Sequence, residues 1–465
     1  MSKTYRPYSP HQSFLLPPSP HDWLPEGHLA YFILDLVAEL DLSPILSHYE
    51  RELRGFPPHH PQMMLALLLY AYASGVPSSR RIERKTYEDV AFRVIAGGTH
   101  PDHTRISEFR RIHLKAIEGL FVQVLQLCSK AGLVKLGHVA IGGTKVKANA
   151  SKHKAMSYER MQKQEEELEK KVAELKDKAK RLLDIAETTD AEEDARLGPG
   201  VRGDELPKEL RRSQDRLERT RAAKAALEAE AKANHERKKA APTAEKSTGD
   251  DDDEPGPQVS PLPSHKVPAN ADGNPTPKAQ RNFTDPDSRI QKAGTNYVQG
   301  YNCQAAVDAK SQVIVAQAAT NQPPDVQHLA PMLDRVIANC GKAPKILSAD
   351  AGYFSEENVR AVEGRGVDPY IATGRLKHGE KPPVVRGRKP AHMTTKQRMA
   401  RKLATKSGAN VYKQRKAIVE PVFGYIKEAR GLRSFLLRSL AKVQGEWSLI
   451  CTTHNLLKLF AAAAR

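Results

Sequence analysis

Two carboxylates occupy settings that suit phosphate chemistry. Asp350 follows the short apolar stretch 345–349, which is typical of a strand, and Glu420 lies in a helix-like stretch beside Val419 and Phe423. Ligand and metal sites of α/β sheets collect at the carboxyl ends of strands. Carboxylate oxygens are the ligands that Mg²⁺ prefers, and phosphodiester cleavage uses such ions together with nearby cations. Asp350 and Glu420 are therefore candidate catalytic residues.

Both acids also allow a simpler interpretation. An aspartate after a strand commonly caps a turn or a helix. A glutamate among bases is commonly a surface residue in an ion pair, and Glu420 has Arg415, Lys416 and Lys427 close by in the sequence. The residues alone leave these alternatives open.

Positive charge is concentrated between the two acids. The stretch 375–416 contains fourteen Lys or Arg and a single acid, Glu380. The whole chain has 73 Lys plus Arg against 55 Asp plus Glu, and its formal net charge is +18. This pattern predicts a track for the phosphates of DNA, with salt-dependent and weakly sequence-specific binding, although a solvated loop is the alternative.

A second candidate DNA contact lies near the N-terminus. The stretch 104–111 is typical of a capped helix with polar residues on one side, which makes Arg105 and Arg110 candidate DNA-binding residues. Core packing explains the same helix equally well.

Composition excludes several classes of protein. The longest apolar run, Met63–Ala73, is shorter than the roughly 18 residues of a membrane-spanning helix, and residues 1–30 contain no signal-peptide pattern. The four cysteines form no Cys-x-x-Cys pair, which disfavours a zinc site or a disulfide framework. We expect a cytoplasmic, nucleoid-associated protein that does not contact membranes.

The elements that must position these residues come from hydrophobic patterning. Helical periodicity begins at Leu29, and a β-branched apolar run over 138–146 predicts a buried strand. Apolar residues at steps of four and three over 158–231 predict an antiparallel helical hairpin, and the acidic, proline-rich stretch after it predicts disorder. The predicted parts are an extended arm (1–26), an all-α domain that binds DNA (27–135), an α/β catalytic domain (136–157 and 281–465), a helical hairpin insertion (158–240) and a disordered linker (241–280).

Several stretches, taken in order, resemble the bacterial insertion-sequence transposases of the DDE type. The resemblance leaves out the insertion and implies an α/β catalytic domain with an RNase H-like mixed sheet, preceded by a helical transposase domain. It also implies DNA as the partner, both as element ends and as target, and a homodimer in synapsis. The stretches that carry it are 61–79, 101–110, 143–151, 284–289, 300–322, 348–354 and 420–427.

The resemblance assigns roles to the candidate residues. It implies two divalent ions, Mg²⁺ or Mn²⁺, held between three carboxylates, of which Asp350 is the second and Glu420 the third. The basic signature around the family's glutamate, which grips DNA phosphates, is matched here by Tyr412, Arg415 or Lys416, and Lys427.

The chain departs from the family at the first carboxylate. The resemblance implies Asp-Gly-Thr-Lys within the strand over 138–146, but Gly142 stands at the position of the aspartate. Glycine has no side chain and cannot hold a metal ion. Asp285 and Asp287 match a different motif of the family, so they do not replace the missing acid.

Three hypotheses follow. The first is a transposase that cleaves element ends and joins them to target DNA. The second is a catalytically impaired relic that folds and binds DNA, because Gly142 lacks the expected side chain. The third is a helical scaffold built on the hairpin, which the positive charge and the strand motifs disfavour.

Overall fold

The computed structural model describes residues 22–50, 57–188, 205–240, 261–374 and 392–464, together with Ser19 and Pro390. Most of the predicted arm and of the basic stretch before residue 392 lies outside the described residues. The helices are α1 (Leu29–Glu39), α2 (Ser43–Glu50), α3 (Pro61–Ala73), α4 (Ser79–Glu88), α5 (Val90–Ile95), α6 (His103–Ile112), α7 (Leu114–Lys130), α8 (Tyr158–Thr188), α9 (Glu205–Ala240), α10 (Leu329–Cys340), α11 (Glu356–Glu363), α12 (Thr395–Ala404), α13 (Lys406–Gly424) and α14 (Leu440–Ala463). The strands are β1 (His138–Lys147), β2 (Ala155–Ser157), β3 (Gln280–Asn282), β4 (Arg289–Ala293), β5 (Asn296–Asp308), β6 (Ile314–Thr320), β7 (Ile346–Ala349) and β8 (Asp368–Ile371).

The N-terminal region is helical, as its periodicity predicts. Helix α3 is buried along almost its whole length, which fits its nearly unbroken apolar sequence. The stretch after Ser78 forms two helices, α4 and α5. The break falls at Asp89, whose backbone is extended and whose carboxylate accepts hydrogen bonds from the backbone N–H groups of Ala91 and Phe92. An aspartate in this role ends one helix and caps the next.

The part of the chain after the N-terminal helices is built on a mixed sheet with β1 at its centre. The strands follow the order β4-β5-β1-β7-β8, and β6 also pairs with β5. Strand β1 is antiparallel to β5 and parallel to β7, and β7 is parallel to β8. Strands β5 and β6 are consecutive and form an antiparallel pair. The chain therefore combines a mixed α/β sheet with a helical N-terminal region.

Helices α8 and α9 lie against each other in opposite directions. Tyr158 bonds to Glu228, and Glu165 forms ion pairs with Arg221 and Lys224. The stretch 241–260 lies outside the described residues, but the prediction of disorder is wrong for 261–280. Apolar residues of that stretch are buried against the base of the two helices; the resulting small core contains Met161, Leu227, Ala231, Val267 and Ala279.

The N-terminal helices and the sheet share one hydrophobic core. Helix α14 packs against α3 and α7 on one side and against β6 on the other. Arg430 connects the two regions, because its buried guanidinium donates hydrogen bonds to the carbonyl oxygens of Tyr72 at 2.8 Å and Ile450 at 3.2 Å. The predicted N-terminal domain is thus packed directly onto the α/β part of the chain.

Two histidines make the folded protein sensitive to acid. Burial lowers the pKa of His454, which lies on α14 in the shared core, to about 3, and partial burial lowers the pKa of His265, outside that core, to about 4. An unfolded histidine takes up a proton near pH 6.5, whereas these buried rings stay neutral until the pH is far lower. The folded state therefore loses stability as the pH falls through this window.

We expect the melting temperature of the protein to decrease as the pH is lowered from 7 to 4.5. His454→Gln should make this decrease smaller. His454 alone contributes about 2.5 kcal/mol between pH 6.5 and pH 4.5 at 1.36 kcal/mol per pH unit. The measurement is thermal unfolding at a series of pH values, with His153→Gln at an exposed position as the control. Equal pH dependence in the native protein and in His454→Gln would contradict this account.

Candidate active site

The parallel pairing of β1 with β7 positions the central pair of the site. Ile141 of β1 lies beside Ala349 of β7 at the end of the ladder, so the next residues along the two strands are Gly142 and Asp350. The Asp350 carboxylate accepts a hydrogen bond at 2.8 Å from the backbone N–H of Gly352 and caps a short 3₁₀ turn. The capping interpretation of Asp350 is therefore correct, and the carboxylate also lies at the strand edge where a catalytic acid is expected.

Helix α13 brings Glu420 to the same edge. The residues on either side of it in the helix, Val419 and Phe423, face Gly142. The Glu420 carboxylate lies 3.6 Å from Arg415 Nη2 and 3.9 Å from Lys416 Nζ. Its side chain is 48% exposed, so it is open to a ligand as well as to its basic neighbours.

Gly142 is packed tightly by α13. A Cβ atom placed on Gly142 would lie 2.9 Å from Val419 Cγ2 and 3.3 Å from Phe423 Cε2. Real Cβ atoms essentially never approach a neighbour to less than 3.0 Å, so an added side chain requires Val419 to shift. The apolar contacts around Gly142 supply no oxygen that would replace the missing carboxylate.

Tyr412 and Arg415 lie close to Asp350. The Arg415 guanidinium carbon lies 5.8 Å from the centre of the Tyr412 ring. Burial raises the pKa of the Tyr412 phenol, the nearby Asp350 charge raises it further, and Arg415 opposes both. Only 15% of the Arg415 side chain is exposed, so its charge is held at the site.

Lys427 approaches the site from the short π-helical turn after α13. Its Nζ donates a hydrogen bond to the carbonyl oxygen of Lys145 in β1 at 2.8 Å. Burial lowers the pKa of Lys427. The structure thus brings Asp350, Glu420, Tyr412, Arg415, Lys416 and Lys427 to the neighbourhood of β1 and α13.

One acid at this edge is not predicted by the sequence reasoning. Asp325 precedes α10, and its Oδ1 accepts hydrogen bonds from Asn302 Nδ2 at 2.7 Å and Gln304 Nε2 at 2.9 Å. Lys145 Nζ lies 3.4 Å from the same oxygen. The sequence gives only an indirect signal for Asp325. Lys145 and Asn302 belong to stretches that resemble the family, and their polar side chains need hydrogen-bonding partners when the strands that carry them are buried.

The acids Asp285 and Asp287 have structural roles. Asp285 accepts hydrogen bonds from the Tyr301 hydroxyl at 2.9 and 2.8 Å and from the Ser439 N–H at 3.1 Å. Asp287 accepts from the Leu440 N–H at 2.8 Å and holds the start of α14. Neither carboxylate replaces the missing one at position 142.

Arg110 is buried, which corrects the prediction that it contacts DNA. Its Nη1 donates hydrogen bonds at 2.9 Å to the Tyr72 hydroxyl and to the Pro77 carbonyl oxygen. The Tyr72 hydroxyl also bonds to Glu446, a buried acid on α14. Arg105 of the same helix is 69% exposed and pairs with Glu108, so it remains a candidate for DNA contact.

The oxygen donors suit a divalent cation, although the three-carboxylate set is incomplete. Asp350 and Glu420 offer the carboxylate oxygens that Mg²⁺ prefers. Within the described part of the chain, neither belongs to a group of three His, Cys, Asp or Glu donors whose ligand atoms lie within 4.8 Å of one another. Such a group is formed elsewhere, by Glu83, Asp102 and His103.

Comparisons with known proteins identify the class to which this site belongs. A family model described as "Transposase DDE domain" matches residues 264–456, and one described as "Transposase domain (DUF772)" matches residues 18–111. The "putative transposase for insertion sequence element IS402" of Burkholderia cepacia is 38% identical over 61 residues, which is 12% of this chain and 29% of that protein. No solved structure matches the chain. In the described residues no helix is long and apolar enough to span a membrane.

Both family models describe transposases, so the chain is a transposase in class. More particularly, it belongs to the DDE-type transposases of insertion sequences. The resemblance noted in the sequence is confirmed on this point.

We expect Arg110→Ala to affect the stability of the protein and Arg105→Ala to affect DNA binding. Arg110→Ala leaves the buried Tyr72 hydroxyl and Glu446 without their cation, so it should lower the free energy of unfolding by about 3 kcal/mol. Arg105→Ala removes an exposed charge and should change stability by about 0.5 kcal/mol or less while weakening DNA binding. Chemical unfolding and DNA-binding titrations of both variants provide the measurement. A stable Arg110→Ala protein with weakened DNA binding would contradict the assignment.

Proposed function

We propose that this chain is the transposase of an insertion sequence, which binds the element's ends and carries out DNA cleavage and strand transfer. One observation carries the proposal: Asp350 follows the end of β7 beside Gly142 of β1, and helix α13, which carries Glu420 and its basic neighbours, packs on the same Gly142. The match of residues 264–456 to a transposase DDE domain supports the same conclusion.

We also propose an RNase H-like arrangement for the catalytic domain. The sheet order supports it, because β6, β5, β1, β7 and β8 are adjacent in that sequence, with β1, β7 and β8 parallel and β5 antiparallel. Helices α8 and α9 then form a helical hairpin inserted between β2 and β3.

DNA recognition in this proposal rests on cations around the catalytic edge. The Lys416 side chain is 75% exposed, Lys413 is also exposed, and both lie on the helix that carries Glu420. Arg105 extends the positive surface to the N-terminal helices. Contacts of this kind bind phosphates with little base specificity and weaken as salt rises.

The reaction consists of two displacements at phosphorus. In cleavage, a water oxygen bonds to phosphorus while the bond from phosphorus to the 3′-oxygen breaks, and the departing 3′-oxygen ends as a hydroxyl. In strand transfer, that 3′-hydroxyl attacks a phosphodiester of the target, loses its proton and displaces another 3′-oxygen, which gains one. Divalent cations, when bound, supply Lewis acidity to the reacting phosphate.

The residues of this chain bind and orient the DNA in these steps. Asp350 and Glu420 are the ligands that would hold the metal. Arg415 is positioned between Glu420 and Tyr412, where its fixed charge offsets the negative charge of a phosphate near the cut. Lys427 holds β1 through the Lys145 carbonyl oxygen, and Lys416, which is 75% exposed beside Glu420, can reach a DNA phosphate.

Gly142 favours a second candidate function, a catalytically impaired transposase that still binds DNA. The position offers no oxygen, and the Val419 and Phe423 side chains fill its surroundings. Such a protein would occupy element ends with little or no cleavage. In either case we propose that it acts on bacterial DNA in the cytoplasm and forms a homodimer when two ends are brought together.

The test of DNA binding is a fluorescence anisotropy titration with a duplex that carries the element's ends, at several salt concentrations. We expect the affinity to fall steeply with salt, and Lys416→Ala to weaken binding and reduce the salt slope by about 1. Lys342→Ala, which removes an exposed lysine after α10, is the matched control and should bind as the native protein does. Binding that does not respond to salt would contradict the proposed function.

A further inference from the structure

The hairpin formed by β4 and β5 extends beyond the end of β1. The pairing of β5 with β1 runs as far as Lys147 opposite Gly300, and residues 296–299 of β5 continue past that point and pair with β4. A two-residue turn joins the two strands, and it begins at Gly294, whose φ of +64° is a conformation that favours glycine. The tip of this hairpin therefore projects from the sheet in the direction in which β1 runs past Gly142.

Two side chains at the tip lie on the face of the sheet that α13 covers. Tyr297 is directly opposite Lys292, so both side chains are on one face. Gly142 is directly opposite Ala305, and Ala305 and Tyr297 are an even number of residues apart on β5, so Tyr297 shares the face of Gly142. At about 3.3 Å per residue, Tyr297 lies about 26 Å along the strand from Ala305.

A loop that follows the π-helical turn continues this face between α13 and the hairpin. The Lys147 N–H donates a hydrogen bond to the Arg433 carbonyl oxygen at 3.2 Å, and the Phe435 N–H donates to the Lys147 carbonyl oxygen at 2.9 Å. The Phe435 ring meets the ring of Tyr301 edge to face, with the ring centres 6.0 Å apart. Because Tyr301 and Tyr297 share a face of β5, the loop packs on the face that carries Tyr297.

The same loop brings Arg438 to the base of the hairpin tip. Arg438 Nε donates a hydrogen bond to the Asn149 carbonyl oxygen at 3.0 Å. The adjacent residue, Ala148, donates from its N–H to the Gln299 carbonyl oxygen of β5 at 2.9 Å. Arg438 is exposed, and it is held by this contact near the part of β5 that leads to Tyr297.

This surface is positively charged and carries an exposed aromatic ring. The stretches 289–299 and 429–442 contain no Asp or Glu. Tyr297 is 62% exposed. Arg433 is 62% exposed and pairs with Glu428, an exposed pair that exchanges partners at little cost. The exposed cations of the two stretches are Lys292, Arg433, Arg438 and Lys442.

We propose that Lys292, Tyr297, Arg433 and Arg438 form a DNA-binding surface, here called the hairpin surface, for the duplex on one side of the cut. The cations contact its phosphates, and the Tyr297 ring packs against sugars and bases in a groove, as aromatic residues beside cations do in nucleic-acid sites. The inference rests on the proposed transposase function and adds the path of the DNA to it.

The geometry also gives the length of this path. Base pairs are stacked about 3.4 Å apart, so about 26 Å corresponds to seven or eight base pairs. A duplex with its reacting phosphate beside Asp350 therefore reaches Tyr297 about seven or eight base pairs from the cut.

The experiment is an anisotropy titration of the full-length protein with a labelled duplex of about 30 base pairs that carries the element's end, at several salt concentrations. Lys292→Ala and Arg438→Ala should each reduce the salt slope by about 1. Tyr297→Ala should weaken binding roughly 5-fold at every salt concentration and leave the slope unchanged, because a ring contact releases no counterion.

Two further variants test whether the ring itself makes the contact. Tyr297→Phe keeps the ring and should bind as the native protein does. Tyr87→Ala removes a tyrosine that is 60% exposed on α4 and is the matched control, with native affinity expected. Native affinity and slope in the three alanine variants of the hairpin surface would overturn the proposal. Binding by Tyr297→Phe as weak as that by Tyr297→Ala would overturn the ring contact.

Shortened duplexes test the path of the DNA. Duplexes that end about four base pairs from the cut, on one side or on the other, are too short on that side to reach the hairpin tip. On one of them the native protein and Tyr297→Ala should bind equally, and a difference that persists on both would overturn the path. Loss of salt-dependent binding by the native protein itself would instead be a failure of the proposed transposase function.

Discussion

The parallel pairing of β1 with β7 is the constraint on which the site depends. It ends at Ile141 and Ala349, and so it brings position 142 and Asp350 side by side. Helix α13 then crosses β1 at Gly142, which fixes Glu420 and Arg415 relative to the same edge. A glycine at the point of contact lets the helix lie close to the strand, and the same glycine removes a carboxylate from the site. The close packing of α13 on β1 and a metal-binding carboxylate therefore place opposite demands on position 142.

A second constraint connects the two halves of the molecule. Arg430 donates to the carbonyl oxygen of Tyr72, while the hydroxyl of that tyrosine lies between Arg110 and Glu446. Burial raises the pKa of Glu446, and Arg110 partly offsets this effect. The N-terminal helices are thus held to α14 by charged groups inside a shared core. Arg105, the proposed DNA contact on the N-terminal half, belongs for this reason to the same packed body as the proposed catalytic edge.

Local patterns in the sequence predict many of the elements and where several of the candidate residues lie in them. The β-branched run before Gly142 and the short apolar stretch before Asp350 predict strands β1 and β7, and the basic helix around Glu420 is also present. Arg110 was misinterpreted because its partners, Tyr72 and Glu446, are distant in the sequence and the helical pattern does not show which arginine turns inward. Asp325 was missed for the same reason, because only the folded sheet brings Asn302 and Gln304 to it.

The central claim is that catalysis in this chain depends on Asp350 and Glu420 at an edge weakened by Gly142. The most direct measurement is cleavage of DNA carrying the element's own ends, with Mg²⁺ or Mn²⁺, by the native protein and by Gly142→Asp, each with and without Glu420→Gln. The account predicts faster cleavage by Gly142→Asp than by the native protein and none in either background with Glu420→Gln. Equal cleavage by the native protein and Gly142→Asp, or full cleavage without Glu420, would contradict it.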